Sequence, residues 1–340
     1  MIRIKALKFF RVFVAVNAGL FLAVMTFCPS LVAQEHDHSG HQMSPEVFAE
    51  LREKVLLYRE YTDEEIMGSM SRMGPNFRVY LSDADVTGGV GVLALGHGFQ
   101  ETGNQEFQDA YASTAAKHPT AVGLGMAMMT SEHIQTAVDE LTAAGARKIL
   151  VIPTTTVESG GLTRQWGYIF GLQEEAPWLS VDRVRTSAEV KFTPTPTTHP
   201  TMSAILTEYA QEVSRDPANE VVALISHGPV DPDDNAKELA ILTEHADRIR
   251  DGSNFAEVRA FTLQDDAPSA VRSANVDTLR GWVEAARADG KRVIVLTNLL
   301  VKGGVHGKIK RDLDGLEYTF NEKGLMLHPL FGSWVEEVIG

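Results

Sequence analysis

Three histidines in this chain stand where an apolar run gives out, and that is where chemistry is to be sought. Val293-Ile-Val-Leu-Thr-Asn-Leu-Leu-Val-Lys-Gly-Gly-Val-His306-Gly-Lys-Ile-Lys-Arg311 starts as a β-branched stretch and ends in a Gly-Gly turn, with His306 among Lys302, Lys308, Lys310 and Arg311. Two other runs behave alike: Glu220 to Ser226 ends in His227-Gly228, and Val90 to Gly96 ends in His97-Gly98. Such runs read as buried parallel strands, and open α/β sheets bind ligands at the carboxyl ends of their strands. Imidazole accepts a proton or holds a divalent ion near neutral pH, and grouped cations attract an anion. Asp265 and Asp266 follow the strand after His227, where they read as N-terminal charge for the helix beyond Pro268.

A separate metal-binding pattern lies near the amino end. Glu35-His36-Asp37-His38-Ser39-Gly40-His41 places three imidazoles and two acids within seven residues, a composition suited to Zn, Co, Ni or Cu. Just before it, Arg3, Lys5, Lys8 and Arg11 precede an apolar stretch from Val12 to Phe27 and a small-residue site at Leu31-Val32-Ala33, the pattern of an export signal over residues 1–33. The apolar stretch is short for a membrane span, so any membrane contact is expected only through an uncleaved signal. Cleavage after Ala33 would take the net charge from −14 to −18, and the expected location is periplasmic or otherwise exported.

The elements that must position the histidines repeat. With 340 residues, 44% hydrophobic content, 28 Gly and 14 Pro, the chain has the composition of a folded protein of two ordinary domains. The acidic balance argues against nucleic acid as a partner, and the single Cys28 excludes an intramolecular disulfide and any cysteine-based zinc or iron–sulfur site. Val47, Phe48, Leu51, Val55 and Tyr58 predict an amphipathic helix over 44–60. From about residue 89 the order is strand-His-Gly, helix (104–117), strand (120–124), helix (131–144), strand (148–153), Gly160-Gly161. After a Thr/Pro-rich linker, 193–200, and a helix near 201–214, the order begins again and ends at Gly303-Gly304. The expected organisation is a signal (1–33), a His-rich tract (34–43), an amino-terminal half (44–192), the linker, and a carboxyl-terminal half (201–340). The fold class is α/β, with parallel sheets related by internal duplication. A duplicated chain has no need of a second copy, so a monomer is expected. The halves are unequal: without gaps Leu162 falls opposite His306, and with one gap Thr163 does. No Gly-x-Gly-x-x-Gly or Gly-x-x-x-x-Gly-Lys-Ser/Thr occurs at a strand end, so no nucleotide cofactor is expected.

With Gly96-His97-Gly98, Ser226-His227-Gly228, Gly304-x-His306 and the terminal stretch Gly324 to Trp334, the chain resembles the class II tetrapyrrole chelatases, in particular the sirohydrochlorin cobaltochelatase family of the CbiX type, over about residues 88–340. The resemblance implies two Rossmann-like halves with a tetrapyrrole cleft between them. It implies insertion of Co2+, or in relatives Ni2+ or Fe2+, into a sirohydrochlorin-type macrocycle, a step in cobalamin biosynthesis in the cobalt case. On that likeness His227 and His306 would accept pyrrole protons and hold the metal, and an assisting carboxylate is expected, with Asp265 and Asp266 as its candidates. Lys302, Lys308, Lys310 and Arg311 would contact the macrocycle's carboxylates, and His97 would line the cleft or be a remnant. Met126, Met128 and Met129 are thioether candidates, with core packing the stronger reading. The export signal sets a second expectation beside turnover: an exported metal- or tetrapyrrole-binding protein on a chelatase scaffold. A Rossmann-like small-molecule enzyme of another kind is the third.

Overall fold

The apolar runs become the central strands of two sheets in the computed structural model, which describes residues 34–35, 43–73 and 75–340. The expected signal and the histidines His36, His38 and His41 lie outside the described residues. The first sheet contains β1 (Gln34–Glu35), β2 (Phe77–Tyr80), β3 (Val90–Gly96), β4 (Thr120–Leu124), β5 (Lys148–Pro153) and β6 (Glu189–Phe192), in the order β1-β2-β4-β3-β5-β6. The second contains β7 (Glu220–Ser226), β8 (Glu257–Thr262), β9 (Arg292–Thr297) and β10 (Thr319–Phe320), in the order β10-β9-β7-β8. β3 pairs with β4 and β5 as β7 pairs with β8 and β9, all in parallel. The duplication is thus a duplication of topology. The first sheet departs from an all-parallel form because β2 adds to β4 antiparallel and β1 to β2 antiparallel.

The helices are α1 (Pro45–Lys54), α2 (Asp63–Met73), α3 (Glu101–Ala110), α4 (Ala112–Ala115), α5 (Glu132–Ala143), α6 (Gly161–Ile169), α7 (Pro200–Val213), α8 (Pro232–Asp251), α9 (Ser269–Ala288), α10 (Gly304–Asp312) and α11 (Pro329–Ile339). Two expected helices are interrupted. The one over 44–60 stops at Lys54 because Val55 turns extended, φ −106° and ψ 106°, and a separate α2 follows. The one over 104–117 begins at Glu101 and breaks at Tyr111.

Packing follows from burial on both faces of each sheet. β7 is buried along its whole length and β3 at all but its first residue, as parallel strands covered on two sides require. Val92, Ala94, Val122 and Ile152 of the first sheet share one apolar core with Val222, Leu224, Ile294 and Leu296 of the second. Phe107, Leu206, Tyr209, Phe331 and Trp334 fill the layer between. The outer face of the first sheet packs on Ile134, Leu141 and Trp166, and that of the second on Leu279, Val283 and Ile309. Because the central layer belongs to both sheets, Ala33–Gly340 is one compact unit. The Thr/Pro-rich stretch between the halves is pinned rather than free. The His245 ring donates from Nε2 to the Thr197 carbonyl at 2.6 Å, which leaves Nδ1 to accept from the Ser203 hydroxyl at 2.7 Å.

Candidate active site at the carboxyl ends of β7 and β8

His227 is the first residue past β7, and the backbone reverses at Gly228, φ +75°. A Cβ there would lie 2.9 Å from the Gln264 nitrogen and from Thr262, so only glycine lets the turn pass this close to β8. The turn settles the orientation of the ring. Nδ1 lies 3.0 Å from the Gly228 carbonyl and donates to it, which leaves Nε2 aimed outward, the arrangement that prepares an imidazole to ligate. Nε2 is 3.2 Å from Asp266 and 4.0 Å from Asp265. The imidazole and the two carboxylates place their donor atoms within 4.8 Å of one another, the metal-competent cluster of the described residues.

The two carboxylates are not equivalent. The Asp265 side chain is 1% exposed, and its charge is answered by Arg272 at 2.9 Å and by Lys308. Arg272 is itself anchored on Asp312 at 2.7 Å. Asp266 is half exposed and faces His227, and no lysine or arginine of the described residues pairs with it. The loop that presents both acids is held by Gln264 in a left-handed conformation, φ +47°, with its amide donating to the Pro229 carbonyl at 3.0 Å. A bulky residue takes that conformation only when its surroundings fix it. The Asp pair therefore belongs to the site rather than only to the helix that follows. Burial lowers the His227 pKa, but the hydrogen bond and charge of Asp266, with Asp265 behind, outweigh it and the net shift is upward. Burial raises Asp266, and the His227 bond and charge reverse that to a net lowering.

From the first half, His97 ends β3 in the same way, with Gly98 at φ +83° and the ring against Phe99 at 4.2 Å. Surrounding protein and the His227 charge push its pKa down, while Asp266 pulls it back, so the two His-Gly turns sit within electrostatic reach. The ring keeps an exposed face, and solvent tempers that lowering.

His306 occupies different ground. The sequence places it in a turn, but the Gly-Gly pair opens α10 and His306 sits in its first turn, 1% exposed. The Gly303 N–H donates to Nδ1 at 3.2 Å, so the ring proton is on Nε2, 3.1 Å from the Thr297 hydroxyl oxygen. Phe320 stacks on it at 5.6 Å. Both nitrogens are engaged within the second half, and His306 does not join the His227 cluster. Burial lowers its pKa, which suits a neutral ring at a helix start. The strands of His227 and His306 do lie side by side, as β7 and β9. In the first half the corresponding third residue of α6 is Thr163, bonded to the Val157 carbonyl at 3.1 Å.

The basic residues are also largely compensated. Lys302 and Lys310 both pair with Glu322, at 2.8 and 2.6 Å, and Lys308 pairs with Asp265. Arg311 is exposed in the last turn of α10. Met128 is buried, and Met126 and Met129 pack with it against α1 and α2 as core. Sequence reasoning missed Arg272, Gln264, Glu322 and Glu238, because their roles come from contacts across 7 to 60 residues that no local spacing encodes.

No family model matches the sequence, and no curated protein matches it. Among solved structures the chain is similar to SirB from Bacillus subtilis with Fe3+, at 16% identity and a TM-score of 0.56, covering 74% of this chain and 94% of that one. It is also similar to DR2241 from Deinococcus radiodurans, described as a multi-domain protein with structural similarity to chelatases and two additional novel domains. There the identity is 18% and the TM-score 0.46, over 74% of this chain and 55% of that one. The likeness to SirB extends over nearly all of that protein, and with the repeated strand order of the two sheets it supports a fold of two Rossmann-like α/β halves.

Proposed function

We propose that this chain is a metallochelatase that inserts a divalent metal into an anionic tetrapyrrole of the sirohydrochlorin type. The observation that carries the reading is the Nε2 of His227 held beside Asp266 and Asp265 at the carboxyl ends of β7 and β8, with His97 of the other half within electrostatic reach. One nitrogen and two oxygens form a donor set that suits Co2+, Ni2+ and Fe2+. Co2+ is favoured by the sequence resemblance, and SirB's Fe3+ lends weight to iron. Metallation strips two N–H protons from the macrocycle while the ion sheds water, and a neutral His227 can hold the ion or take up one of those protons. Asp266, exposed and lacking Asp265's clamp, is the carboxylate free to ligate. Lys302, just ahead of α10, and Lys310 and Arg311 on its exposed side are placed where macrocycle carboxylates can exchange with Glu322. His306 serves as the brace of the Gly303-Gly304 turn and reaches the ion only by giving up both of its bonds. Residues 36–41 would gather metal for the site, and the chain would work in an exported compartment.

One observation favours the second reading, a binder without turnover: His306, one of the two imidazoles that the resemblance makes catalytic, has both ring nitrogens engaged. A time course of sirohydrochlorin absorbance with Co2+ or Fe2+, against a protein-free blank and the His227→Ala variant, separates the two. Acceleration that needs both protein and His227 establishes the chelatase. Retention of metal or macrocycle without acceleration establishes the binder, and identical rates with and without protein overturn the proposal.

A further inference from the structure

The halves differ most beneath the first His-Gly turn. β3 and β7 align through their pairings, Leu95 with Pro153 and Ile225 with Thr297, so Gly96 corresponds to Ser226 and Thr154 to Asn298. In the first half this place is apolar: a Cβ on Gly96 would lie 2.8 Å from Phe107, and Phe107 and Tyr111 are fully buried, with the Tyr111 hydroxyl on Thr154 at 2.5 Å. In the second half it is acidic. Glu238 of α8 is 2% exposed, and its Oε1 accepts from the Ser226 hydroxyl at 2.8 Å and from the Asn298 amide at 3.3 Å.

Two atoms there have no partner, Glu238 Oε2 and Asn298 Oδ1, and both are acceptors. The Asn298 amide faces the carboxyl through its nitrogen, and a proton on Oε2 would turn that unpartnered acceptor into a neutral donor, leaving no buried charge to compensate. An ionised carboxylate in this place is costly, since buried charge demands a full set of partners. The first half demonstrates that the frame builds with aromatic rings instead. The carboxyl is therefore kept for what it does, in the half that carries the His227 cluster.

Two charged groups act on it, His227 at the end of β7 and Glu158 ahead of α6 in the first half, while the charge of Asp234, one turn back on α8, is taken up by Arg164 and Lys237. Burial raises the Glu238 pKa to about 7, against the bonds from Ser226 and Asn298 and the His227 charge, with Glu158 adding to the rise.

We propose that Glu238 is a proton-exchanging residue coupled to the cation site: it holds a proton while the site is empty and releases it to solvent when a divalent cation seats on His227 and Asp266. The Oε2–H bond breaks with its electron pair left on the carboxylate, the proton passes to water, and nothing is oxidised or reduced. The carboxylate then offsets part of the ion's charge, and when the ion departs within the macrocycle it takes a proton back. Glu238 touches neither ion nor macrocycle in this scheme and is a positioning residue. The inference rests on the proposed reading of His227 and Asp266 as the ion's ligands.

Infrared difference spectra of the full chain with and without Co2+, at a pH near 6, test it. The expected result is loss of a protonated-carboxyl band on Co2+ addition, with about two protons released per ion bound at this site, one from Glu238 and one from the Nε2 of His227, and about one if Glu238 takes no part. The band should be absent in Glu238→Gln and should persist under Co2+ in His227→Ala. The same band loss in Glu238→Gln, or a His227-dependent Co2+ site with no carboxyl change, overturns the role of Glu238 alone. Co2+ binding that is indifferent to His227 overturns the cation-site reading and this inference with it. If Glu238→Gln does not fold, wild type against His227→Ala still decides the coupling.

Discussion

The two halves of this chain share a frame and differ in what the frame presents. β4-β3-β5-β6 and β8-β7-β9-β10 have the same order, and each half turns at His-Gly and opens a helix with Gly-Gly. Past β4, however, the first half continues into Met126-Ala127-Met128-Met129, which α1 and α2 cover as core, while past β8 the second half turns a buried Asp265 and a half-exposed Asp266 toward His227. Ala127 and Gln264 both adopt the left-handed conformation, at φ +54° and +47°, so the loop shape survives while its chemistry does not. The difference teaches that the fold asks for strand, turn and helix and is indifferent to acids. The acids and Glu238 are additions that the frame does not require, and additions of that kind point to function.

The sharpest way to break the comparison is to remove its histidines one at a time. His227→Ala should lower the metallation rate by roughly 10²–10⁴-fold, the span of a lost proton acceptor, whereas His97→Ala should lose far less because Asp266 pairs directly with His227 and acts on His97 only at longer range. Asp266→Asn should fall near His227→Ala. Equal losses at His97 and His227, read from initial rates at saturating metal, would make the halves equivalent and remove the asymmetry.

The next effect is on stability. The Glu238 pKa in the folded state, about 7, lies above the ordinary value of 4.5. Its contribution is therefore intact below pH 4.5 and is lost as pH rises toward 7, because the unfolded chain ionises first. Glu238→Gln keeps the bonds and cannot ionise. It should gain over wild type by on the order of 3 kcal/mol across that window, discounted for relaxation around a buried charge. Denaturant unfolding of both proteins at pH 4.5 and pH 7.5 measures it, and a difference independent of pH would contradict a buried, raised carboxyl. The mirror substitution acts oppositely: Gly96→Ala drives a methyl into Phe107 and should destabilise by about 1–3 kcal/mol at any pH.

How much of this was legible follows from what each signal depends on. Val90–Gly96, Thr120–Leu124, Lys148–Pro153 and Glu220–Ser226 are continuous apolar runs between turn residues, and the structure has strands at those same bounds. Short edge strands such as β6, with alternating exposure, and β10, two residues long, carry too little apolar signal to stand out. The His-Gly turns were visible because glycine at positive φ leaves a mark in sequence. The orientation of His306 was not, since it depends on Gly303 as a donor and on Phe320 from a later strand. Asp265 and Asp266 could be seen but not ranked, because Arg272 and Lys308, which distinguish them, arrive from other helices.

The smallest expected effect concerns the tie between the halves. Arg164 of α6 reaches Asp234 of α8 at 2.8 Å, a pair that crosses from one half to the other. Arg164 is 43% exposed on its side chain, and Asp234 has a second cation in Lys237 at 3.3 Å. Removing the arginine therefore leaves no uncompensated charge, and a partly solvated ion pair of this kind is worth at most about 1 kcal/mol. The shared apolar layer of Leu206, Phe331 and Trp334, by contrast, bears on both sheets at once. Arg164→Met should accordingly shift the unfolding midpoint little, and one cooperative transition should persist. A split into two transitions on removing this one pair would mean that the halves are held together by charge at the cleft and not by their common core.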